Sequence, residues 1–476
     1  MVKPEEIHDL EEARNVIRTL QKIVARMEEM QRRIDRLEAE NRTLKGKVEE
    51  LTRGSKRQAA PFSRGEPKEE PKKPGQKAGH EARNRAAPDR IDRVVKAALP
   101  EQCECGGGIV KDDEKKQIQI DVPRPIPVTV TQFDVEIGHC AVCGRRHQGR
   151  HEEQTSDALG AAGVQIGPNT LGIAAELKHR HGMSYGALSG LIRSLTGGFT
   201  VARSTLARAD QRMAERLKPT YERLILRLNK QEVVHVDETG WRVSGRSAWL
   251  WVFTSRDIVV YAIDPTRSHD VVERILTKDF AGVLKSDCFT AYDSADLEKI
   301  EKSKCLGHLI RRCSELRKDK RGRAVMLSRK VQMLLRYAIR LKDRRQRMSN
   351  EFYSQARSWL EKQMDLLLCG RYTDEDNARL ARLLKKQRRW LFNFLDHDAC
   401  DATNNAAERA IRPAVIIRKT NGCNRTPAGA HVHEVIASVL QSWSRQGVNF
   451  GVLLSAMMRL RGLVELDFGG QSAVTR

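Results

Sequence analysis

The sequence predicts a multidomain α/β protein: an N-terminal coiled coil and two small modules, then a mixed-sheet core cut by a helical insertion. Three observations predict it. A 3-4 apolar repeat runs from Leu20 to Leu51, four cysteines bracket an alternating stretch, and β-branched runs near 233, 249, 258 and 283 stand among helical patterns. The 476 residues are enough for about three domains. Lys and Arg total 85 against 62 Asp and Glu, a net charge of +23, which favours a polyanionic partner. No apolar run is long enough for a membrane span, which excludes an integral membrane protein. The opening Met-Val-Lys-Pro-Glu-Glu carries no apolar signal-peptide core. Ten cysteines are too sparse for a disulfide scaffold, so the expected compartment is the reducing cytoplasm.

Residues 1–52 read as a zipper. With Leu20 at position a, Ile23, Met27, Met30, Ile34, Leu37, Asn41, Leu44, Val48 and Leu51 alternate between d and a. Asn41 falls on a, where a buried amide favours a parallel dimer, and Arg33–Glu38 and Glu40–Lys45 are g-to-e pairs of opposite sign. A long helix docked on its own chain would show the same repeat. Residues 53–92 read as a disordered basic linker. Up to Arg90 this stretch holds five Pro and four Gly, Phe62 is its only large apolar residue, and Lys and Arg exceed acids by six.

Residues 93–152 read as a zinc-ribbon-like module. Cys103 and Cys105 precede, and Cys140 and Cys143 follow, an alternation of Ile118, Ile120, Val122, Val128, Val130 and Ile137. Two cysteine knuckles on a hairpin can hold structural Zn2+ through four thiolates. The first knuckle is Cys-x-Cys, one residue short of the usual spacing, and ordinary free thiols are the alternative.

Residues 165–222 read as a helix-turn-helix. Leu171 to Leu177 suit one helix, Ser184 caps a second, and Gly197-Gly198 supply a turn. Ser204 caps a third, which ends at Leu217 before Pro219. The third helix would present Arg203, Thr205, Arg208 and Arg212 to DNA.

The chemistry is expected farther on. The strand from Val233 ends in Asp237-Glu238 and that from Gly282 ends in Asp287, while Thr403-Asn-Asn-Ala-Ala opens a helix carrying Glu408. Clustered carboxylates are costly without a cation, and their oxygens suit magnesium. Asp237, Asp287 and Glu408 together therefore predict a two-metal site for phosphoryl transfer. Glu434 is the next candidate for the third acid. Residues 311–395 read as a helical insertion. Within 311–350, 15 Lys and Arg face three acids, and Leu327, Val331, Leu334, Leu335, Ala338 and Leu341 form one stripe. Arg336, Arg340, Arg344 and Arg347 follow at 3-4 spacing as a phosphate-facing row.

Four blocks then carry a resemblance. They are His235-Val-Asp237-Glu-Thr-Gly-Trp241-Arg242-Val243, Ser286-Asp287 before Tyr292-Asp293, Cys305-Leu-Gly-His308-Leu309, and Thr403-Asn-Asn-Ala-Ala-Glu408-Arg409-Ala-Ile-Arg412-Pro413. With the order of the preceding modules, they resemble transposases of the insertion-sequence 66 (IS-66) family. The resemblance implies a DDE catalytic core on a ribonuclease-H-like fold, here over 231–310 and 396–465. It implies magnesium on Asp237, Asp287 and Glu408, binding of the element's terminal inverted repeats and of target DNA, and strand cleavage followed by strand transfer. The N-terminal zipper predicts a homo-oligomer, and the resemblance implies small accessory proteins of the same element and a place on the bacterial nucleoid. Leu306 stands where the family usually has Trp in the block containing His308. Two rival classes share these residues: a transposase-derived DNA-binding regulator, and a metal-dependent DNA nuclease that stops after cleavage.

Overall fold

The computed structural model describes residues 21, 25, 28–41, 43–44, 464–466 and 473–475, and 88–459 apart from 101, 103, 114, 278–279 and 319. The chain divides into two units, Met1–Pro88 and Asp89–Arg476. In the first, residues 28–41 are helical, and Met30, Ile34, Leu37 and Leu44 of the expected seam are exposed. Asn41 is helical and exposed too, whereas Leu20, Ile23, Met27, Val48, Leu51 and linker residues 53–87 lie outside the described residues.

The second unit opens on a short hairpin, β1 (Ile137–His139) and β2 (Arg146–Gln148), paired antiparallel. The alternation from Ile118 to Val130 forms no strand among the described residues. Ile118, Ile120, Val122, Val128 and Val130 are all exposed, so no packed face rewards the alternation.

Three helices follow: α1 (Pro168–His179), α2 (Tyr185–Leu195) and α3 (Arg203–Leu228). Ser184 caps α2 as expected, its hydroxyl accepting from the Ala187 amide at 3.1 Å. Gly182, Gly197 and Gly198 take the positive φ that the two turns require. Leu171, Ala174, Leu188, Leu206 and Ala209 form a small shared core.

Two details differ from the sequence reading. Ala202, not Ser204, holds the cap position of α3, and the helix runs past Leu217 and through Pro219 to Leu228. Pro219 leaves the carbonyl of Glu215 without its helical donor. The extension buries Leu224 and Leu228 against the sheet, and that packing outweighs the lost bond.

The sheet is built from β3 (Val233–Val243), β4 (Arg246–Thr254), β5 (Val259–Asp264), β6 (Val283–Ser286) and β7 (Glu301–Lys304), in spatial order β5-β4-β3-β6-β7. β5, β4 and β3 are antiparallel neighbours, whereas β3, β6 and β7 run parallel. The β3–β4 hairpin turns at Ser244 and Gly245, both with positive φ. A short helix, α4 (Asp270–Ile275), lies on the crossover from β5 to β6.

Side chains alternate between two packed faces. Val234, Val236, Trp251, Phe253 and Val260 meet α3 and α10 (Pro427–Arg445). Trp241, Leu250, Val252, Val259 and Tyr261 meet α9 (Asn405–Asn421). The Cys305 region leads into α5 (Leu306–Lys318), which crosses the expected boundary at 310. The insertion adds α6 (Met326–Asp343), α7 (Asn350–Cys369) and α8 (Glu375–Gln387). Its core includes the whole expected stripe from Leu327 to Leu341 and joins Val233 and Val283 of the sheet. A last helix, α11 (Phe450–Arg459), contacts α1. Among the described residues no helix is long and apolar enough to cross a membrane.

Candidate active site

The parallel register brings the first two acids near each other. The register ends with His235 opposite Lys285; Asp237 lies two residues farther along β3 and Asp287 just past the end of β6, near enough for the Asp287 charge to act on Asp237. Asp237 accepts from the Glu238 amide at 2.9 Å, and Asp287 accepts from the Phe289 amide at 2.9 Å. Burial pushes the Asp237 carboxyl up to about 7, and the charges of Glu238 and Asp287 push the same way. The Glu238 amide and His308 oppose the rise.

Glu238 points to the other face. It accepts from the Tyr292 hydroxyl and from Arg267, whose Nε lies at 3.0 Å. Arg267 is itself held between the rings of Trp249 and Phe289. Burial raises Glu238 above the usual carboxylate range, while Tyr292 and Arg267 pull it back.

Asn404 places the third acid. Its Nδ2 donates to the Val236 carbonyl at 2.7 Å, its Oδ1 faces His235 Nδ1 at 3.0 Å, and its amide donates to Cys305 Sγ at 3.1 Å. Asn404 therefore fixes the start of α9 to the strand carrying Asp237. The Glu408 amide bonds the Asn404 carbonyl at 3.1 Å, which sets Glu408 in the first turn of that helix. Its carboxylate faces His308 Nε2 at 3.8 Å, and His308 Nδ1 lies 3.3 Å from Cys305 Sγ. The Cys305 sulfur raises His308 to about 8; burial opposes this, and Asp287 and Glu408 reinforce it.

The oxygens of Asp237, Asp287 and Glu408 do not all lie within 4.8 Å of one another. Among the described residues, the three-ligand group that meets this distance is His269, Glu273 and Asp296, at the surface. There His269 Nε2 sits 2.9 Å from Asp296 Oδ2, an ordinary hydrogen-bonding separation.

A family model described as "Transposase IS66 family" matches residues 163–432, more than half of the chain. The chain belongs to the IS66 family of transposases. It is also similar to the "Uncharacterized protein y4qI" of Sinorhizobium fredii (strain NBRC 101917 / NGR234), with 24% identity over 401 residues. That alignment covers 76% of this chain and 70% of the relative.

The matched IS66 segment runs from just before α1 into α10, so it holds all three acids, the three helices after the hairpin and the insertion. In this family member Arg203, Arg208 and Arg212 are exposed on α3 and Thr205 is half-buried. Arg336, Arg340, Arg344 and Arg347 are exposed too, but not on one helix: α6 ends at Asp343, Arg344 follows as its cap, and Arg347 lies in a 3-10 turn. The helical spacing therefore breaks after Arg340, where the chain turns toward α7.

Cys140 and Cys143 sit in the turn between β1 and β2. Backbone bonding from Cys143 and Val142 lowers the Cys140 thiol and favours the thiolate. Cys103 lies outside the described residues, and Cys105, Cys140 and Cys143 do not gather into a three-ligand cluster.

Glu434 has a different task from the one its sequence position allowed. It accepts from the Ile263 amide, while Ser438 and Ser442 accept from Tyr261 and Val259 at 2.8 and 2.9 Å. One acceptor per helical turn thus closes alternate amides along the open edge of β5. The residues that sequence reasoning left without a role are Glu238, Arg267, Tyr292, Asn404 and Cys305. The Asp237-Glu238 adjacency and the Tyr292 and Asn404 blocks were visible; the contacts across the sheet were not.

Proposed function

We propose that the chain is a DNA transposase that binds the terminal inverted repeats of its own element and catalyses magnesium-dependent strand cleavage and strand transfer. The carrying observation is the pair Asp237, on β3, and Asp287, just past the end of the adjacent parallel strand β6, with Asp237 raised to about 7 by burial and acidic neighbours. Half-buried carboxylates whose charges act on one another fit a divalent cation, because the cation removes the penalty of ionising them together. Asp237 and Asp287 would hold it, with Glu408 completing the set. When bound, magnesium activates the attacking oxygen and stabilises the leaving oxygen of a phosphoryl transfer. The strand order β5-β4-β3-β6-β7, with a parallel β3-β6-β7 half, supports the ribonuclease-H-like reading of the core.

The chain's own residues prepare this site. Asn404 locks the helix of Glu408 against β3. His308, raised to about 8, keeps a proton facing the Glu408 carboxylate and orients it. Exposed Arg203, Arg208 and Arg212 on α3, with Thr205 beside them, would grip the element's ends. Arg336, Arg340, Arg344 and Arg347 would hold phosphates without reading sequence. The four cysteines would take structural zinc, the N-terminal zipper would pair two copies, and accessory proteins of the same element would assist.

The test is strand cleavage of duplexes carrying the element's ends. Asp237→Asn, Asp287→Asn and Glu408→Gln each abolish cleavage and leave end binding largely intact. A variant that cleaves at the wild-type rate removes its residue from the site. Joining of the freed 3′ end to target DNA separates a transposase from a nuclease, and a wild-type chain that binds but never cuts is a regulator.

A further inference from the structure

The exposed face of the insertion mixes apolar and cationic side chains in a way neither the core nor the acid site explains. On α6, Met326, Met333 and Tyr337 are exposed, and so are Arg329, Lys330, Arg336 and Arg340. At 3.6 residues per turn these seven positions share one arc of about 120°, opposite the buried stripe. On α7, Phe352, Trp359 and Leu366 recur every seven residues and are exposed, with Lys362 between them. The two helices pack through their buried faces, and their exposed faces adjoin at one ring pair: Tyr337 and Trp359 pack edge to face with centroids 5.5 Å apart.

Three properties narrow the occupant. No acid lies within either arc. Arg329, Lys330, Arg336, Arg340 and Lys362 make no ion pair among the described residues, whereas Glu361 and Asp365 of α7 are engaged by Arg357 and Arg388 elsewhere. Trp359 is 45% exposed and Phe352 52%, which is costly in water for rings of this size. The cations call for a polyanion, and the rings call for flat apolar surface between its charges.

We propose that this α6–α7 face binds single-stranded DNA, with unpaired bases stacking on Trp359, Tyr337 and Phe352 while the flanking Arg and Lys hold the phosphates. Duplex DNA satisfies the cations alone, because its base faces are stacked inside. A single strand satisfies both, since every base has a face to stack and every linkage a charge. The inference rests on the transposase reading and deepens it. The surface would hold strand ends opened around a cleavage site.

The test uses the full chain and fluorescence anisotropy, with a labelled oligothymidylate of about 20 nucleotides and a blunt duplex of equal length. Trp359→Ala should weaken oligothymidylate binding roughly 5- to 150-fold, the range for one stacked base, and leave duplex binding within about twofold. Trp359→Phe should restore most of the loss. Arg336→Gln with Arg340→Gln should weaken both probes and flatten their salt dependence. If Trp359→Ala unfolds the chain by circular dichroism, Phe352→Ala, at the solvent-facing start of α7, carries the same expectation. Unchanged oligothymidylate binding, or equal losses on both probes, overturns the inference. So does a variant that sediments as a smaller species with single-strand affinity intact, which would make the face a contact between copies. A wild-type chain that cleaves element ends while Trp359→Ala binds single strands normally defeats this inference alone. A wild-type chain that binds no DNA defeats the transposase reading with it.

Discussion

Two clusters of charge flank β6, one half-buried and acidic and one buried and basic, and they are organised in opposite ways. Toward β3 lie Asp237, Glu238 and Asp287, with Arg267 the cation bonded to Glu238 and none bonded to Asp237 among the described residues. Toward β7 lie Lys285, Lys302 and Lys304, all under 2% exposed. Lys285 donates to Ser303 Oγ and the Lys304 carbonyl at 3.1 and 3.0 Å, and Lys304 sits 2.8 Å from the buried carboxylate of Asp293. Lys302 lies over the Trp390 ring at 4.8 Å, and burial, with Lys304 nearby, pulls it down to about 8. The cationic cluster joins the insertion to the sheet edge; Lys285 and Lys304 are answered by oxygens, and Lys302 by the Trp390 ring alone. On the anionic side Glu238 is met by Arg267 and Tyr292, but Asp237 and Asp287 have no bonded cation among the described residues, and that unmet charge marks the place for chemistry.

The largest effect should come from the unanswered side. Asp237→Asn should cut strand cleavage by at least about a thousandfold, the scale for losing a preorganised charged group. The same change should stabilise the protein when no divalent cation is present. An acid raised to about 7 in the fold binds more protons folded than unfolded, so wild-type stability falls as pH rises from about 4 to about 7. Asn lacks that penalty and should be more stable at pH 8 by up to about 4 kcal/mol. Urea unfolding across this pH range measures it; a less stable Asn variant contradicts the assignment.

The answered side should behave conversely. Lys304→Met leaves Asp293 buried with only Lys386 and Gln387 nearby, and should cost about 3 kcal/mol while the variant, where folded, still cleaves. Equal stability of variant and wild type would mean the lysine cluster does not hold the insertion in place.

A smaller effect comes from His433, buried between α1 and the sheet. Its Nδ1 lies 3.2 Å from His179 Nδ1, His179 Nε2 lies 3.0 Å from Asp210, and the Trp241 ring stacks on it at 5.7 Å. Burial, then His179 and Lys178, hold His433 well below its ordinary value. The unfolded chain therefore binds the extra proton, and this stability is present above about pH 6.5 and lost below it, at up to about 1.4 kcal/mol per pH unit. His433→Gln should flatten that acid limb, and an unchanged limb would place the sensitivity elsewhere.

The comparison also explains what could be read from residues alone. The acid side was legible because its strands are β-branched runs ending in Asp, and because α9 opens on a recognisable Asn-Asn block. β7 was not, since Glu301-Lys-Ser-Lys304 shows no apolar alternation; its lysines are tolerated only because Asp293, Ser303 and Trp390 meet them across the fold. The length of α3 was hidden by Pro219, whose local cost is overridden by burial of Leu224 and Leu228. The role of Glu434 depends on a strand about 170 residues earlier, at one acceptor per turn, a match that no local pattern announces.

The most direct test is Mg2+ titration of the full chain at pH 8, followed by its thermal unfolding midpoint. If Asp237 and Asp287 hold the cation, the wild-type midpoint rises with Mg2+ and saturates, because a ligand bound only by the folded state stabilises it. Asp237→Asn and Asp287→Asn should start no lower and barely respond. An equal rise in all three proteins would contradict the account.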